Sequence, residues 1–252
     1  MSFDVSPGAY TRFMGQYSEP LAARFADLAG VRHGQRVLDV GCGPGALTAE
    51  LVNRVGAELV SAVEPSGSFA AAVRDRLPGA DVRQSAAERL PFPDGTFGVT
   101  LAQLVVHFMA DPVLGLREMR RVTRPGGTVA ACVWDHAGGR GPLDAFWSAV
   151  RELDPADAGE SGLAGVREGH LASLFTQAGL DDTQVTTLTV RVRHASFDDW
   201  WQPFTLGVGP AGDYVASLAP GRRAALRERC RHLLPAGTVE ITAVAWAATG
   251  RA

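Results

Sequence analysis

The sequence predicts an α/β fold in which a mainly parallel sheet is doubly wound by helices. Short apolar runs alternate with helical patterns along the first half of the chain, which is typical of parallel strands joined by crossover helices. A glycine-rich turn directly follows the first apolar run, at Gly41 to Gly45. Because right-handed crossovers bring the carboxyl ends of the strands to one edge, we expect a ligand site at that edge.

The elements of the first half follow from periodicity, caps and turn residues. A helix over Ser18 to Leu28 places its apolar residues at helical spacing and ends at Gly30. Strands are predicted at Arg36–Val40, Leu59–Val63, Asp81–Gln84, Thr96–Leu101 and Thr128–Trp134. Helices are predicted at Ala46–Val55, from a cap at Ser66 to Leu77, and at Asp111–Val122, with a turn at Arg124–Gly127.

The pattern changes after Trp134. Helices are predicted at Pro142–Leu153 and Glu168–Ala178, and strands at Thr186–Val192 and Val239–Ala247. The segment between these two strands, Ser196 to Leu234, is rich in Trp, Phe, Gly and Pro and ends in an Arg-rich helix. We interpret it as a helical insertion over the edge of the sheet and not as an independent domain.

Composition excludes several classes of function. All 24 basic residues are arginine, so lysine chemistry such as a Schiff base or a phosphate-loop lysine is absent. The net charge of −3 does not suggest a nucleic-acid partner or a membrane anchor. Cys42, Cys132 and Cys230 lack metal-site spacing and a disulfide pattern, so we expect no metal. Without a signal-peptide pattern or a long apolar span, we expect a cytoplasmic protein.

The glycine turn alone leaves two ligand classes open. Gly41, Gly43 and Ala46 have the spacing of a dinucleotide-binding turn. Glu64 lies at the end of the next strand, where a carboxylate can accept from both ribose hydroxyls of either ligand class. Asp39, at the end of the first strand, would repel a diphosphate, and an unpaired buried carboxylate is costly. A cofactor that carries an ammonium or a sulfonium would stabilise it, while a cap of the turn or helix is the structural alternative.

Five motifs together resemble the class I S-adenosylmethionine-dependent methyltransferases. They are VLDVGCGPGALT (37–48), VSAVEPS (60–66), AAERLPFPDGTF (86–97), LVVHF (104–108) and REMRRVTRPGGTVA (117–130), in the family's order. The segment YTRFMGQYS (10–18) is similar to an N-terminal lid of relatives that act on small molecules. The resemblance implies a Rossmann-like, seven-stranded sheet in one domain over 1–252. Its parts would be a lid (1–30), a cofactor-binding core (31–135) and substrate-side elements (136–252).

The resemblance also implies the roles of individual residues. The residues expected to bind S-adenosylmethionine are Phe13, Tyr17, Asp39, Gly41, Cys42, Gly43, Glu64, Pro65, Phe69, Ala86, Ala87, Glu88, Gln103 and Leu104. Asp39 would lie near the methionine amino group, Glu64 would hold the ribose, and Phe13 and Tyr17 would belong to the lid. The family often has Asp at position 86 and after Phe97, where this chain has Ala86 and Gly98. The loss at position 86 would cost about 1 kcal/mol of cofactor affinity.

The acceptor side is less specific in the sequence. His107 lies just past the fourth strand and is the candidate general base, although a packing role is also consistent with its position. Trp134, Trp201 and Phe204 are candidates for an aromatic acceptor pocket, with core packing as the alternative. The leading hypothesis is a methyltransferase that acts on a small molecule. A non-catalytic cofactor-binding protein and an NAD(P)-dependent oxidoreductase remain open.

Overall fold

The computed structural model describes residues 6–157 and 159–252. The strands are β1 (Val37–Val40), β2 (Val60–Glu64), β3 (Asp81–Gln84), β4 (Phe97–Gln103), β5 (Thr123–Trp134), β6 (Asp181–His194) and β7 (Val239–Arg251). The helices are α1 (Pro7–Tyr10), α2 (Gln16–Leu28), α3 (Ala46–Val55), α4 (Gly67–Arg76), α5 (Pro112–Val122), α6 (Asp144–Leu153), α7 (His170–Gln177), α8 (Phe197–Trp201), α9 (Gly209–Ser217) and α10 (Pro220–Leu233). Residues 1–5 of the predicted lid lie outside the described residues.

The strands form one sheet in the order β3-β2-β1-β4-β5-β7-β6. All pairings from β3 to β5 are parallel, whereas β7 runs antiparallel to β5 and to β6. This arrangement confirms the predicted seven-stranded, mainly parallel sheet within the described residues. The strand order reverses between β1 and β4, and the carboxyl ends of strands at such a reversal leave a crevice for a ligand.

Alternation along the strands explains why helices cover both faces of the sheet. On β5, Val129, Ala131 and Val133 belong to one buried cluster, together with residues of α5 and α7. The intervening Ala130, Cys132 and Trp134 belong to the other, together with residues of α2, α3 and α6. Because successive side chains point to opposite faces, an all-apolar strand needs a helix layer on each side.

Caps place most helices of the first half where they were predicted. The predicted bounds of α3 and β3 agree with the structure, and Ser66 Oγ accepts from Phe69 N at the start of α4. Asp111 Oδ1 likewise accepts from Leu114 N at 2.9 Å and begins α5. Helix caps of this kind can be predicted from the sequence, because the two partners lie three residues apart.

Two expectations for the strands need correction. The predicted turn at Arg124–Gly127 does not precede β5 but lies within it, as an irregularity at which the pairing with β4 passes from Phe97–Thr123 to Val99–Thr128. Gly126 N donates to the carbonyl oxygen of Ala252 at 2.9 Å, and Ala252 N donates to Gly127 O at 3.2 Å. Likewise β6 begins at Asp181 and β7 ends at Arg251, beyond their predicted limits. In each case pairing with a distant strand extends a segment whose own residues favour a turn.

The insertion between β6 and β7 packs against the N-terminal segment. A π-helical turn at Thr11–Gly15 joins α1 to α2, and the ring of Phe13 lies 5.3 Å from that of Phe204 in the insertion. Arg12 also donates to Gln202 Oε1 at 2.9 Å. These two segments together cover the carboxyl edge of the sheet. None of the helices in the described ranges has the length and apolar character needed to cross a bilayer.

Candidate functional site

The glycine turn after β1 has a backbone that only glycine adopts easily. Gly41 and Gly43 have φ angles of +71° and +52°, in the left-handed region. A Cβ at Gly41 would lie 2.5 Å from Cγ2 of Val105, whereas a Cβ at Gly43 would meet nothing within 4 Å. Gly41 therefore lets the turn pack against the loop after β4. Gly43 leaves open space in which a ligand can approach the backbone.

The first three N–H groups of this turn are used within the protein. Gly41 and Cys42 both donate to the carbonyl oxygen of Val63, at 2.8 and 3.0 Å. Gly43 donates to Oε2 of Glu64 at 2.9 Å. A dinucleotide site would need such groups for the diphosphate. These amides are already bonded, and the neighbouring carboxylate would repel a diphosphate.

Glu64 lies at the end of β2 and is oriented by two backbone groups. Its Oε2 accepts from Gly43 N at 2.9 Å and its Oε1 accepts from Ser66 N at 3.0 Å. Burial raises the pKa of Glu64 above its usual value, while these two bonds act in the opposite direction. A carboxylate has about four acceptor positions, so each oxygen can accept one more hydrogen bond. The side chain is thereby preorganised to hold a pair of hydroxyl groups.

The main cavity lies beside the turn and has a volume of about 460 Å³. Small-molecule sites typically measure roughly 300–1,000 Å³. The predicted cofactor residues that line it are Gly41, Gly43, Glu64, Pro65, Phe69, Ala86, Ala87, Glu88 and Leu104. The lining also includes residues that the sequence analysis missed, namely Tyr10, Val105, Phe108, Met109 and Ala110. Tyr10, Val105 and Phe108 lie within the motifs at 10–18 and 104–108, but the resemblance assigned no role to these three residues.

A second, smaller cavity of about 40 Å³ lies at the end of β1 and is lined by Asp39, Cys42 and Gln103. Asp39 is 1% exposed, and its Oδ2 accepts from Thr48 Oγ1 at 2.7 Å. Asp39 is therefore not unpaired, contrary to the assumption of the sequence argument. Burial nevertheless raises its pKa to about 7, because the charged form loses its hydration.

Gln103 contributes an unusual polar atom to the second cavity. Its Nε2 donates to the carbonyl oxygen of Ser18 at 3.0 Å, which fixes the orientation of the amide. Its Oε1 is buried without a hydrogen-bond partner. A buried acceptor of this kind is costly unless a ligand satisfies it. Together with the Asp39 carboxyl group, it gives the second cavity two oxygen acceptors for a cationic donor.

A third cavity, of about 30 Å³, lies on the far side of Leu104. The predicted residues that line it are Phe13, Leu104, His107 and Trp134. Tyr10 and Leu104 line all three cavities, so the cavities meet at these two side chains. Leu104 has a φ of +61°, which costs energy for a side chain of its size, and its N–H donates to Cys132 O at 2.8 Å.

His107 lines both the main and the third cavity. Its Nδ1 is buried without a hydrogen-bond partner. Burial and the neighbouring His136 lower the pKa of His107 to about 3, so the imidazole is neutral at physiological pH. A neutral ring with an unused nitrogen can form a hydrogen bond to a ligand, but it is a weak acceptor for a proton.

Four predicted residues have contacts that the sequence did not indicate. Tyr17 lines none of these three cavities, and its hydroxyl lies 2.9 Å from His194 Nε2 in the core. Trp201 and Phe204 also lie outside the three linings, and Phe204 stacks on Phe146 with ring centroids 4.6 Å apart. Glu88 lines the main cavity, but its Oε1 also accepts from Ala110 N at 2.8 Å.

The core of the chain matches a known family. Residues 38–131 match the family described as methyltransferase domain. An uncharacterized methyltransferase of Schizosaccharomyces pombe is 33% identical over 123 residues, which cover 41% of this chain and 44% of that protein. The ubiquinone/menaquinone biosynthesis C-methyltransferase UbiE of Idiomarina loihiensis is 40% identical over 110 residues, again 41% of this chain and 44% of the relative. These matches span less than half the length of the two curated relatives.

Structural similarity extends over nearly the whole chain. The YcgJ protein of Bacillus subtilis has a TM-score of 0.58 and 18% identity, covering 94% of this chain and 99% of that one. At this identity the similarity concerns the fold. The match to the methyltransferase-domain family covers residues 38–131, the part of the fold that holds the glycine turn and the strands around it.

Proposed function

We propose that this protein binds S-adenosylmethionine across the main and second cavities and transfers its methyl group to a small-molecule acceptor. When bound, this cofactor supplies a methyl group activated on a positively charged sulfur. The observation that carries the proposal is the pair of oxygen acceptors in the second cavity, Asp39 and Gln103 Oε1. A buried acid beside a buried, unsatisfied amide oxygen suits an ammonium group.

The methionine part would lie in the second cavity. The Asp39 carboxylate would pair with the ammonium group, and Gln103 Oε1 would accept a second hydrogen bond from it. Cys42 lines this cavity beside them. A cation at this position lowers the pKa of Asp39, so binding would be coupled to the release of a proton from that residue.

The adenosine part would occupy the main cavity. Glu64 would accept from both ribose hydroxyls with the acceptor positions that Gly43 and Ser66 leave unused. Pro65 and Phe69 would flank the adenine, and the N–H of Ala87 would donate to the ring. Ala86 cannot accept from the adenine amino group, and Glu88 at the same cavity is the nearest substitute in the lining.

The acceptor would bind beyond Leu104, in the third cavity. Trp134 forms part of its wall, and Phe13 of the N-terminal segment covers it as a lid residue. His107 would position the acceptor at the junction of the two cavities through its neutral ring. Trp201 and Phe204 would support this lid from behind, because they pack on each other and Phe204 contacts Phe13. Tyr17 would support it through its contact with His194.

The two alternative functions are less well supported. An NAD(P)-dependent oxidoreductase would place a diphosphate beside Glu64, against amides that already donate within the protein. A non-catalytic cofactor-binding protein would not need a separate cavity next to the cofactor. We propose a cytoplasmic location, since the three cysteines are buried and form no disulfide, as is usual in a reducing compartment.

Calorimetric titration tests this proposal in two steps. We expect S-adenosylhomocysteine to bind the purified protein and NADH to give no heat of binding. Incubation with S-adenosylmethionine labelled in its methyl group and an extract of small metabolites should then transfer the label to a small product. Binding of NADH instead of S-adenosylhomocysteine would overturn the cofactor assignment. Cofactor binding without label transfer from any extract would favour the non-catalytic hypothesis.

A further inference from the structure

The third cavity contains a pair of buried titratable side chains that the cofactor site does not use. His136 and Glu160 both line it, and their side chains are 4% and 5% exposed. Nε2 of His136 lies 4.0 Å from Oε1 of Glu160. The other oxygen of Glu160 accepts from Trp147 Nε1 at 2.9 Å, which fixes the carboxylate toward the histidine. This arrangement resembles a general base with an orienting carboxylate.

We propose that the third cavity binds a neutral aromatic compound carrying a hydroxyl group, and that His136, positioned by Glu160, takes the proton of that hydroxyl. This inference rests on the function proposed above and adds to it the chemical class of the acceptor and the base.

Unsatisfied ring nitrogens in the same wall indicate a polar group on the ligand. Trp134 and His107 line the cavity at 2% and 7% exposure. Trp134 Nε1 and His107 Nδ1 are both buried without a hydrogen-bond partner. Because an indole N–H can only donate, it needs an acceptor such as a hydroxyl oxygen. A ligand with one hydroxyl group can therefore satisfy groups that the protein leaves unpaired.

The rest of the lining of the third cavity disfavours a charged ligand. Phe13, Phe108, Leu143 and Val208 form apolar and aromatic surface around the polar end. Within residues 6–157 and 159–252, neither this lining nor that of the main cavity contains an arginine. An acceptor with a phosphate or carboxylate group would find no cation here and would meet Glu160. The wall therefore favours a neutral ring.

The cavity must open to admit such a ring. Its volume is about 30 Å³, whereas a cavity of about 150 Å³ accommodates benzene. One side of the cavity is formed by Phe13 and Met14 of the N-terminal segment, and the other by Val208 to Ala211 at the start of α9. Separation of these two short segments enlarges the cavity without disturbing the sheet, so we expect acceptor entry to move them.

The reaction step balances with the residues present. The hydroxyl oxygen forms a bond to the methyl carbon, the carbon–sulfur bond breaks with its electron pair on sulfur, and the hydroxyl proton passes to His136. The titratable groups that act on His136 are His107, Asp135, Asp144 and Glu160; Arg151 lines a small cavity with it, and Arg140 pairs with Asp135. Asp135, Asp144 and Glu160 favour the protonated imidazole that forms, whereas burial outweighs them and lowers the pKa of His136 in the unliganded protein. Asp144 is 40% exposed and lines a small cavity together with His136, which gives the proton a route to solvent.

The test uses 4-nitrophenol as the probe, because its absorbance reports whether the bound hydroxyl is ionised. The protein is first saturated with S-adenosylhomocysteine, whose binding is measured separately by calorimetry for each variant. We expect the wild type to bind 4-nitrophenol and to hold a larger fraction of it as phenolate than is ionised in the same buffer without protein. The carboxylate analogue 4-nitrobenzoate should not bind, since the site lacks a cation for its carboxylate.

The variants separate proton uptake from binding. In His136→Asn, 4-nitrophenol should still bind, but its ionised fraction should fall about tenfold, one pKa unit. Glu160→Gln keeps an acceptor for Trp147 and should give an intermediate decrease, so it carries the test if His136→Asn fails to fold. His232→Asn alters an exposed histidine on α10 and should behave as the wild type.

Each failure identifies which proposal is wrong. If the wild type binds no S-adenosylhomocysteine, the proposed function fails. If it binds S-adenosylhomocysteine but not 4-nitrophenol, or binds 4-nitrobenzoate equally well, only the acceptor class is overturned. If His136→Asn and Glu160→Gln both leave the bound phenol as ionised as in the wild type, His136 is not the base.

Discussion

The cofactor side and the acceptor side of the cleft satisfy their polar groups in different ways. Around the glycine turn, partners are close in the chain: Asp39 and Thr48 are 9 residues apart, and Gly43 and Glu64 are 21 apart. On the acceptor side, Tyr17 contacts His194 across 177 residues. The glycine-turn part of the cofactor side is therefore specified by local motifs, although Gln103 is held by Ser18 across 85 residues. The acceptor side depends on how the N-terminal segment and the insertion pack. Substitutions on the acceptor side can therefore change acceptor binding without changing the affinity for the cofactor.

The largest effect that separates the two sides is expected from Phe204→Ala. Phe204 of the insertion is 3% exposed and forms an aromatic cluster with Phe13 of the N-terminal segment and Phe146 of α6. Its removal should lower the free energy of unfolding by about 3–5 kcal/mol, measured by urea denaturation. The affinity of the folded variant for S-adenosylhomocysteine should stay close to that of the wild type. A large loss of affinity with unchanged stability would show that this cluster belongs to the cofactor site.

The opposite pattern is expected for Glu64→Gln on the cofactor side. This change replaces a carboxylate acceptor of the ribose hydroxyls by an amide. Affinity for S-adenosylhomocysteine should fall about 100-fold, or about 2.7 kcal/mol, as measured by calorimetry. Glu240→Gln changes an exposed residue of β7; it is the matched control and should bind normally. Normal binding by Glu64→Gln would remove this residue from the site.

A smaller effect on stability tests the packing of the glycine turn. Gly41→Ala brings a Cβ to within 2.5 Å of Val105 in a left-handed backbone. Gly34→Ala has a similar φ of +82° but open space around the new Cβ. We expect Gly41→Ala to lower the free energy of unfolding by about 2 kcal/mol more than Gly34→Ala, because only the former overpacks. Equal losses would mean that Val105 moves away without cost.

The smallest effect is expected for Tyr17→Phe. This change removes one buried hydrogen bond, that between the Tyr17 hydroxyl and His194. It should lower the free energy of unfolding by about 1 kcal/mol and leave the affinity for S-adenosylhomocysteine unchanged. A marked loss of affinity would restore Tyr17 to the cofactor contacts that the family resemblance implied.

These contrasts also explain how far the sequence could predict the structure. The cap at Ser66 and the glycines at 41 and 43 act through neighbouring residues, so α3, α4 and the cofactor cavity could be predicted. The pairing of Gly126 with Ala252 joins distant segments, so the local signal of a turn could not show that the turn lies inside β5. The positions of Trp201 and Phe204 depend on the same kind of distant packing. The composition of the insertion indicated an aromatic cluster, but it did not indicate which rings line the cavity.

The pairing of His136 with Glu160 could not be predicted either. The two residues lie in irregular segments after β5, and no motif links them. They share no helix or strand, so their spacing in the sequence does not indicate that their side chains are close together. Only the fold places both at the third cavity, 4.0 Å apart.

The electrostatic role of Asp39 is the central claim, and its pKa determines how binding should depend on pH. Burial raises this pKa from 3.8 to about 7, so folding takes up a proton and the free energy of unfolding falls as pH rises between these values. A cationic ligand reverses the shift and displaces the proton. Binding should therefore strengthen as pH rises from about 6 to 8, where Asp39 becomes ionised before the ligand arrives.

The most direct measurement is the affinity for S-adenosylhomocysteine over this pH range in the wild type and in Asp39→Asn, with exposed Asp213→Asn as control. The wild type and Asp213→Asn should bind more tightly at the upper end of the range. Asp39→Asn should bind about tenfold more weakly there and lose the pH dependence. Equal affinity in the wild type and Asp39→Asn across the range would contradict the claim that Asp39 holds the cationic end of the cofactor.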